Sequence, residues 1–217
     1  LHNGLTASVP GLPASWYFDP AQHEREMATL WRQNWLYVAR SEVFTKPGAF
    51  RTLTIGDQNY LLVRGRTGSL RGFHNSCRHR GSLLCEAAEG QLGTSGMIVC
   101  PYHQWTYDSE DGALLRTSSF AEPEGFDKSV LGLFQVAVVE WRGCVFLHPD
   151  FDTRWDADTA FQRPADNFAN FPLETMVVGH TWHAEMNCNW KTFWENFNEC
   201  LHCPAVHPEL TDLVPLY

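Results

Sequence analysis

Two short stretches of this chain place a thiol beside an imidazole: "CRHRGS" at 77–82 and "CPYHQW" at 100–105. The first supplies Cys77 and His79, the second Cys100 and His103. Two thiolates with two imidazoles suit two kinds of metal group. Zinc takes such a set as a tetrahedron. A two-iron, two-sulfide cluster takes both Cys on one iron and both His on the other. Zinc fingers of the ββα type carry their His pair on a helix, three to five residues apart. No such helix follows here, and the flanking segments read as strands, which lowers the zinc reading without removing it. The plainest alternative, two buried Cys and two incidental His, requires two matched Cys/His loops to arise by chance.

A second constellation lies in "NWKTFWENFNECLHCPAVHPEL". Glu195, Glu199 and His202 follow at steps of four and three, which share one face of a helix. The pattern predicts a helix through this stretch that ends at Pro204, with His207 just beyond it. Two His and a carboxylate, with positions left open, suit ferrous iron that must bind dioxygen. Taken alone the spacing also allows His202 as a cation at a helix C-terminus and Glu199 as a solvated charge.

The elements that must position these residues change character along the chain. After an irregular lead of sixteen residues, "DPAQHEREMATLWRQNW" reads as a helix, with Asp19 as N-cap and Pro20 at the first helical position. From Leu36 to about Pro149, short β-branched or alternating runs such as "FRTLTI", "NYLLVRG" and "LFQVAVVEW" are punctuated by Gly, Asp and Ser turns, the pattern of a small all-β unit. A polar linker with weak helical character is expected between Phe151 and Leu173. "TMVVGHTWHAEM" then reads as one or two strands.

The bulk composition narrows the partners. The 217 residues suffice for one large domain or two modest ones. A formal charge of −9 argues against nucleic acid and anionic membranes, both of which reward clustered Lys and Arg. No apolar run approaches the roughly 20 residues of a membrane-spanning helix, and the N-terminal residues lack the features of a secretory signal. Seven Cys, an odd number without regular spacing, fit a reduced cytoplasmic setting better than a disulfide scaffold. Nine Trp and fourteen Phe can serve as core, cofactor cover or substrate cage.

"CRHRGS…CPYHQWTYD" resembles the signature of the Rieske iron–sulfur domain in non-haem iron oxygenases. The resemblance implies a [2Fe-2S] cluster with Cys77 and Cys100 on one iron and His79 and His103 on the other. The gap from His79 to Cys100 is longer than usual, so "EAAEGQLGTSG" is expected to hold a small insertion. Trp105 and Tyr102 are expected to shield the cluster or to pack as ordinary core aromatics. The segment from Asn189 to Leu210 resembles the "NWK…EN…E/D…H…HP" stretch of the oxygenase alpha subunits. That implies a mononuclear Fe(II) on His202 and His207, with Glu199 linking this iron to the cluster of a neighbouring subunit in a homotrimer. Many members have Asp at the bridging position. Glu there, followed by "CLHC", is similar to the branch acting on quaternary ammonium compounds such as glycine betaine, stachydrine, choline and carnitine.

The resemblance implies an α+β chain. Residues 1–35 form a lead and helix packing on the catalytic domain, 36–150 the small all-β Rieske domain, and 151–217 the start of a catalytic domain of helix-grip type with an antiparallel sheet. It implies an oxidoreductase, a monooxygenase or dioxygenase, supplied with electrons from NAD(P)H through a separate flavin/iron–sulfur reductase. Such an enzyme uses O2 to hydroxylate a small-molecule substrate. For an N-methyl substrate the hydroxylated methyl collapses to formaldehyde and the demethylated amine, and a quaternary ammonium would sit well on aromatic faces. Ring hydroxylation of an aromatic compound is the alternative within the class. A Rieske-type electron carrier without oxygen chemistry and a zinc-stabilised binding module are the alternatives outside it. The family's third iron ligand is a carboxylate far downstream. Glu209 and Asp212 are too close to His207 to be it, so the sequence is expected to be a piece or the ordered part of a longer protein and a poor catalyst by itself.

Lesser expectations complete the reading. His74 is a polar strand-end residue. His180 and His183 alternate with apolar residues and serve packing or the surface. Asn189 and Asn196 bond backbone near the iron helix. Cys85, Cys144, Cys188, Cys200 and Cys203 are small buried residues. Lys191 and Arg78 are candidates for salt bridges across the cluster loop or with the reductase.

Overall fold

The run Tyr60–Val63 is apolar without alternation, the mark of a strand covered on both faces. The computed structural model, which describes residues 10–93, 95–118, 122–156, 160, 168–199 and 201–214, buries all four of these side chains. The chain packs as two units, 1–26 with 181–217, and 27–180.

The larger unit is built on strands β1 (Leu36–Arg40), β2 (Ala49–Ile55), β3 (Gln58–Arg64), β4 (Leu70–His74), β5 (Glu89–Gln91), β6 (Ile98–Val99), β7 (Thr106–Tyr107), β8 (Leu114–Arg116), β9 (Gln135–Trp141) and β10 (Cys144–His148). Seven of them form an antiparallel sheet in the order β1-β10-β9-β4-β3-β2-β5, and β6-β7-β8 form a second, smaller sheet. Alternation along β3 explains its double burial. Leu61 and Val63 face a core shared with Phe73, Cys77, Ile98, Cys100, Trp105 and Tyr107. Tyr60 and Leu62 face another, with Phe44, Val136, Val145 and Leu147. Each such side chain contributes about 1.5–3 kcal/mol on burial. The β9–β10 hairpin closes over Arg142 and Gly143, both at positive φ (44° and 76°), the requirement of a two-residue type I′ turn. The all-β texture expected between Leu36 and Pro149 is therefore present. The segment read as an insertion, 86–96, contains β5, an edge strand on β2.

In the smaller unit, α1 (Pro20–Glu26) starts as anticipated, with Asp19 Oδ1 accepting from Ala21 N at 2.9 Å. The rest of that predicted helix is a π-helical turn, Met27–Trp31, in the larger unit. Then come α2 (Trp190–Phe197), α3 (Cys203–Val206) and α4 (Pro208–Leu213). Lys191 does not reach a cluster loop: its Nζ lies 2.7 and 2.9 Å from the two carboxylate oxygens of Glu26. Gln22 Nε2 (2.8 Å) and Trp190 Nε1 (2.9 Å) complete the carboxylate's shell. Burial pushes the Glu26 carboxyl up, but these donors outweigh it and hold its pKa at about 2.

Two expectations fail here. The helix predicted as far as Pro204 stops at Phe197, so Glu195 alone lies on it, and Glu199 and His202 do not share its face. Proline lacks the N–H that a helix needs and its ring strikes the carbonyl four residues back, so the unwinding begins before Pro204. Asn198 covers the exposed end, both its N (3.0 Å) and its Nδ2 (2.8 Å) donating to Trp194 O. The strands expected in 175–186 are also absent: the segment is irregular and exposes Val177, Val178, Trp182 and Met186. A strand needs a neighbour's backbone, and here side chains take those groups instead. Arg40 donates to the carbonyls of Leu173 and Met176, and Val178 N donates to Glu42 Oε1 at 2.9 Å. His180 and His183 are accordingly exposed. Part of the linker read as weakly helical, 157–159 and 161–167, lies outside the described residues.

Candidate metal centres

The two Cys/His loops are built alike, down to their hydrogen bonds. In the first, Cys77 N donates to Ser82 O (2.8 Å) and Gly81 N to Cys77 O (2.9 Å). In the second, Cys100 N donates to Trp105 O (2.8 Å) and Gln104 N to Cys100 O (3.0 Å). The residue four beyond each Cys is left-handed, Gly81 at φ 69° and Gln104 at φ 59°. Glycine takes this conformation freely, whereas for Gln104 it costs about 1–2 kcal/mol. The sequence reading missed Gln104; its matching offset from Cys100 is the signal that finds it.

A buried Asn75 braces the first loop. Its Nδ2 donates to Cys85 O (2.7 Å), and its Oδ1 accepts from Leu84 N and Cys85 N (both 3.0 Å). Cys77 and Cys100 are core residues, 4% and 2% exposed. Tyr107 Oη lies 3.2 Å from Cys77 Sγ and accepts from Arg78 N at 3.1 Å. Burial, then the Cys77 hydrogen bond, pushes the Tyr107 phenol far above its ordinary value, so it keeps a proton that it can donate to a Cys77 thiolate. Burial also pushes the Cys77 thiol up.

The imidazoles sit toward the surface. The His79 and His103 ring centroids are 4.8 Å apart. Trp105 stacks on His79 (4.7 Å, 8°) and is buried, whereas Tyr102 is exposed and leans on His103 at 3.8 Å. Partial desolvation, then the charges of His103 and Arg80, holds His79 below the usual imidazole value. His103 Nδ1 is buried and has no hydrogen-bond partner among the described residues. A buried ring nitrogen without a partner is unfavourable unless something accepts or coordinates it. Two inward thiols beside two adjacent imidazoles, one with an orphaned nitrogen, fit a group that takes its donors two and two.

At the second constellation, His202 precedes α3, accepting through its carbonyl from Val206 N (2.9 Å), and His207 stands between α3 and α4. Their ring centroids are 5.6 Å apart. Cys203, buried between them, anchors the turn. Glu199 Oε1 contacts His202 Nδ1, and Oε2 accepts from Leu201 N at 2.6 Å. The His202 contact, followed by the Leu201 N–H, holds the Glu199 carboxyl below its ordinary value. A carboxylate at Nδ1 orients the ring and leaves Nε2 as the nitrogen able to meet a metal. Glu195 is engaged elsewhere, accepting from Tyr17 Oη.

The profile of the Rieske [2Fe-2S] domain matches residues 34–127, and that of the ring hydroxylating alpha subunit catalytic domain matches 173–216. The chain thus carries a Rieske domain at 34–127 and part of a ring hydroxylating alpha-subunit catalytic domain at 173–216. It is 36% identical over 200 residues to the glycine betaine monooxygenase oxygenase subunit of Chromohalobacter salexigens, covering 92% of this chain and 43% of that protein. It is 29% identical over 206 residues to the carnitine monooxygenase oxygenase subunit of Acinetobacter baumannii, covering 93% and 54%. The crystal structure of the quaternary ammonium Rieske monooxygenase CntA with L-carnitine superposes with a TM-score of 0.83 at 27% identity, over 92% of this chain and 56% of that one. The chain thus spans about half the length of the relatives it matches. A Rieske domain holds a [2Fe-2S] cluster, and the family's oxygenase subunits use a mononuclear iron.

The remaining expectations divide. Asn189 caps α2, its Oδ1 accepting from Lys191 N (3.1 Å), and its Nδ2 donates to Tyr17 O (3.1 Å); Asn196 is exposed. His74 ends β4 against Tyr60. Arg78 forms no salt bridge among the described residues: its guanidinium lies 3.9 Å over Phe134 and donates to Gly132 O. Cys203 is buried as expected, but Cys188 is exposed, carried by the irregular stretch before α2, and Cys85 and Cys144 are half-buried. Cys200 lies outside the described residues.

Proposed function

We propose that this chain is part of the oxygenase component of a Rieske-type monooxygenase that hydroxylates and N-demethylates a small quaternary ammonium substrate such as a betaine. The observation that carries the reading is the pair of matched loops, which present two buried thiols and two adjacent imidazoles upstream of the His202/His207 turn. The similarity to the glycine betaine and carnitine oxygenase subunits supports the substrate class.

In this reading Cys77 and Cys100 hold one cluster iron and His79 and His103 the other, while His202 and His207 hold the mononuclear iron. The cluster supplies single electrons and the mononuclear iron the activation of dioxygen. Trp105 fixes the plane of His79 by stacking. Tyr107 donates a hydrogen bond to the Cys77 sulfur. Glu199 orients His202 through Nδ1, and its position favours a role in joining this site to the cluster of a neighbouring subunit, for which a homotrimer is the natural assembly. Electrons come from NAD(P)H through a separate flavin/iron–sulfur reductase. The division 1–35, 36–150 and 151–217, with the last as the opening of the catalytic domain, follows from the same reading. A reduced cytoplasmic compartment suits thiolate ligands at Cys77 and Cys100. No helix among those residues is long and apolar enough to cross a membrane.

The test is to give the full-length protein a reductase, NADH and a panel of betaines, and to assay formaldehyde. The expected result is formaldehyde in step with substrate lost, from a red-brown protein with about three irons per chain. A colourless zinc protein refutes the cluster. About two irons and no formaldehyde leave an electron carrier.

A further inference from the structure

A cleft of about 320 Å³ opens on the seven-stranded sheet of the larger unit, away from both metal constellations in sequence. It has a structural origin. β4 and β9 share only the pairs Gly72↔Val136 and Phe73↔Gln135, whereas β9 and β10 share five. Beyond Gly72 the two strands part. Alternation puts Arg71, Gln135, Ala137 and Val139 on one face of this opening, and the small Ala137 leaves depth there. Trp35, Trp155 and Phe151 form an aromatic wall, with Trp35 stacked on Trp155 at 5.4 Å.

Charge sets the polarity of the cleft. The chain carries a net −9, yet among the described residues the lining contains Arg71 and Arg154 and no Asp or Glu. Arg154 donates to the carbonyls of Phe151 (2.8 Å) and Thr153 (3.2 Å), and no carboxylate of the described residues forms a salt bridge with it. Arg71 Nε forms an ion pair with Glu110 Oε2 at 3.8 Å, too long for a hydrogen bond, and the Glu110 carboxylate also accepts from Thr67 N (2.6 Å) and Oγ1 (3.0 Å). Among the described residues this buried Nε has no hydrogen-bond acceptor, so its donor capacity is still open.

We infer that this cleft binds a small carboxylate with a flat apolar body, of aryl carboxylate size. The carboxylate accepts from Arg71 and Arg154, and the body lies over Ala137 and Val139 against the aromatic wall. The volume is at the lower end of that of small-molecule pockets. This site is independent of the proposed oxygenase chemistry, and its test needs no turnover.

Benzoate is the probe, with acetate lacking the body, benzyl alcohol lacking the charge and benzylamine reversing it. Binding to the whole chain is read from indole N–H shifts and tryptophan fluorescence. Benzoate is expected to saturate, at least about tenfold tighter than the other three. Arg154→Gln, at an exposed turn, is expected to weaken benzoate about tenfold and to erase its advantage over benzyl alcohol. Ala137→Leu fills the floor and is expected to abolish binding with the visible spectrum unchanged; if it fails to fold, the Arg154→Gln result still decides. Benzoate that binds no better than acetate or benzyl alcohol, or is indifferent to Arg154→Gln, overturns the assignment.

Discussion

The two Cys/His loops and the His202/His207 turn carry similar chemical groups but are held in different ways. The loops hang from strands, their cysteines belong to the main core, and Asn75 adds three hydrogen bonds across the first of them. Among the described residues the turn has one buried anchor, Cys203 at the start of the four-residue α3, with the six-residue α4 after it, and Glu199 and His207 are exposed. Helices this short have little stability of their own in water. The proposed cluster would thus draw its four donors from two strand-held loops, while the proposed second site is held by bonds among near neighbours. The anchor of its unit lies one helix away, in the Glu26–Lys191 pair.

The sharpest way to break that contrast is to remove a donor from the rigid frame. Cys100→Ser keeps the loop's backbone bonds, because they involve N–H and C=O alone, but removes a thiolate. The expected result is loss of the red-brown absorption with the larger unit still folded by circular dichroism. Survival of the colour would take Cys100 out of the ligand set. Next in size is the anchor of the smaller unit. Lys191→Met leaves Glu26 buried and charged without its cation, and a half-removed buried pair costs about 3–5 kcal/mol. The expected loss is confined to the 1–26 and 181–217 unit, seen as early local exchange of α1 and α2 amides, with the cluster's spectrum unchanged. The pair also has a pH signature. Glu26 titrates at about 2 in the fold against an ordinary 4.5, so its contribution is complete above about pH 4.5 and disappears as pH falls toward 2. Glu26→Gln should lack that component of acid destabilisation, measured by denaturant unfolding across the same window.

Asn75→Ala tests whether the first loop is braced as strongly as it looks. Three hydrogen bonds at roughly 1 kcal/mol each, lost from a buried position, predict a destabilisation of about 2–3 kcal/mol in the larger unit. A loss below about 0.5 kcal/mol would mean that the cluster itself, rather than the brace, orders the loop.

What the sequence made legible follows the same contrast. The loops' donors could be picked out because their spacing is short and repeated, and β3 because an unbroken apolar run has few other uses. The helix through His202 was misread because steps of four and three persist in the residue types while the backbone does not follow them: Pro204 forbids the helix, and Asn198 caps an end the periodicity hides. The strands in 175–186 were misread because alternation records a preference for being paired, and a pair requires a partner that local sequence does not contain. Asn75 and Gln104 carried no signal as single residues. The role of Asn75 depends on Leu84 and Cys85, just past the first motif, and that of Gln104 on a turn geometry that its residue type does not announce. Lys191 was recognised as a cation with work to do, but its partner lies 165 positions away.

The smallest expected effect separates electronic tuning from mechanical support within the rigid frame. Tyr107 is fully buried, keeps its proton and accepts from Arg78 N, so its hydroxyl can donate to a Cys77 thiolate 3.2 Å away. Tyr107→Phe keeps the ring that fills the core and removes that proton alone. A hydrogen bond to sulfur stabilises the more negative, reduced cluster more than the oxidised one, so its loss should make reduction harder. A bond of about 1 kcal/mol corresponds to roughly 40 mV for a one-electron couple. The expected result is a potential lower by that order, measured by a dye-monitored titration, with a thermal midpoint within a few degrees of the parent. If the midpoint falls and the potential stays, the hydroxyl supports the loop through Arg78 N and leaves the sulfur's electronics alone.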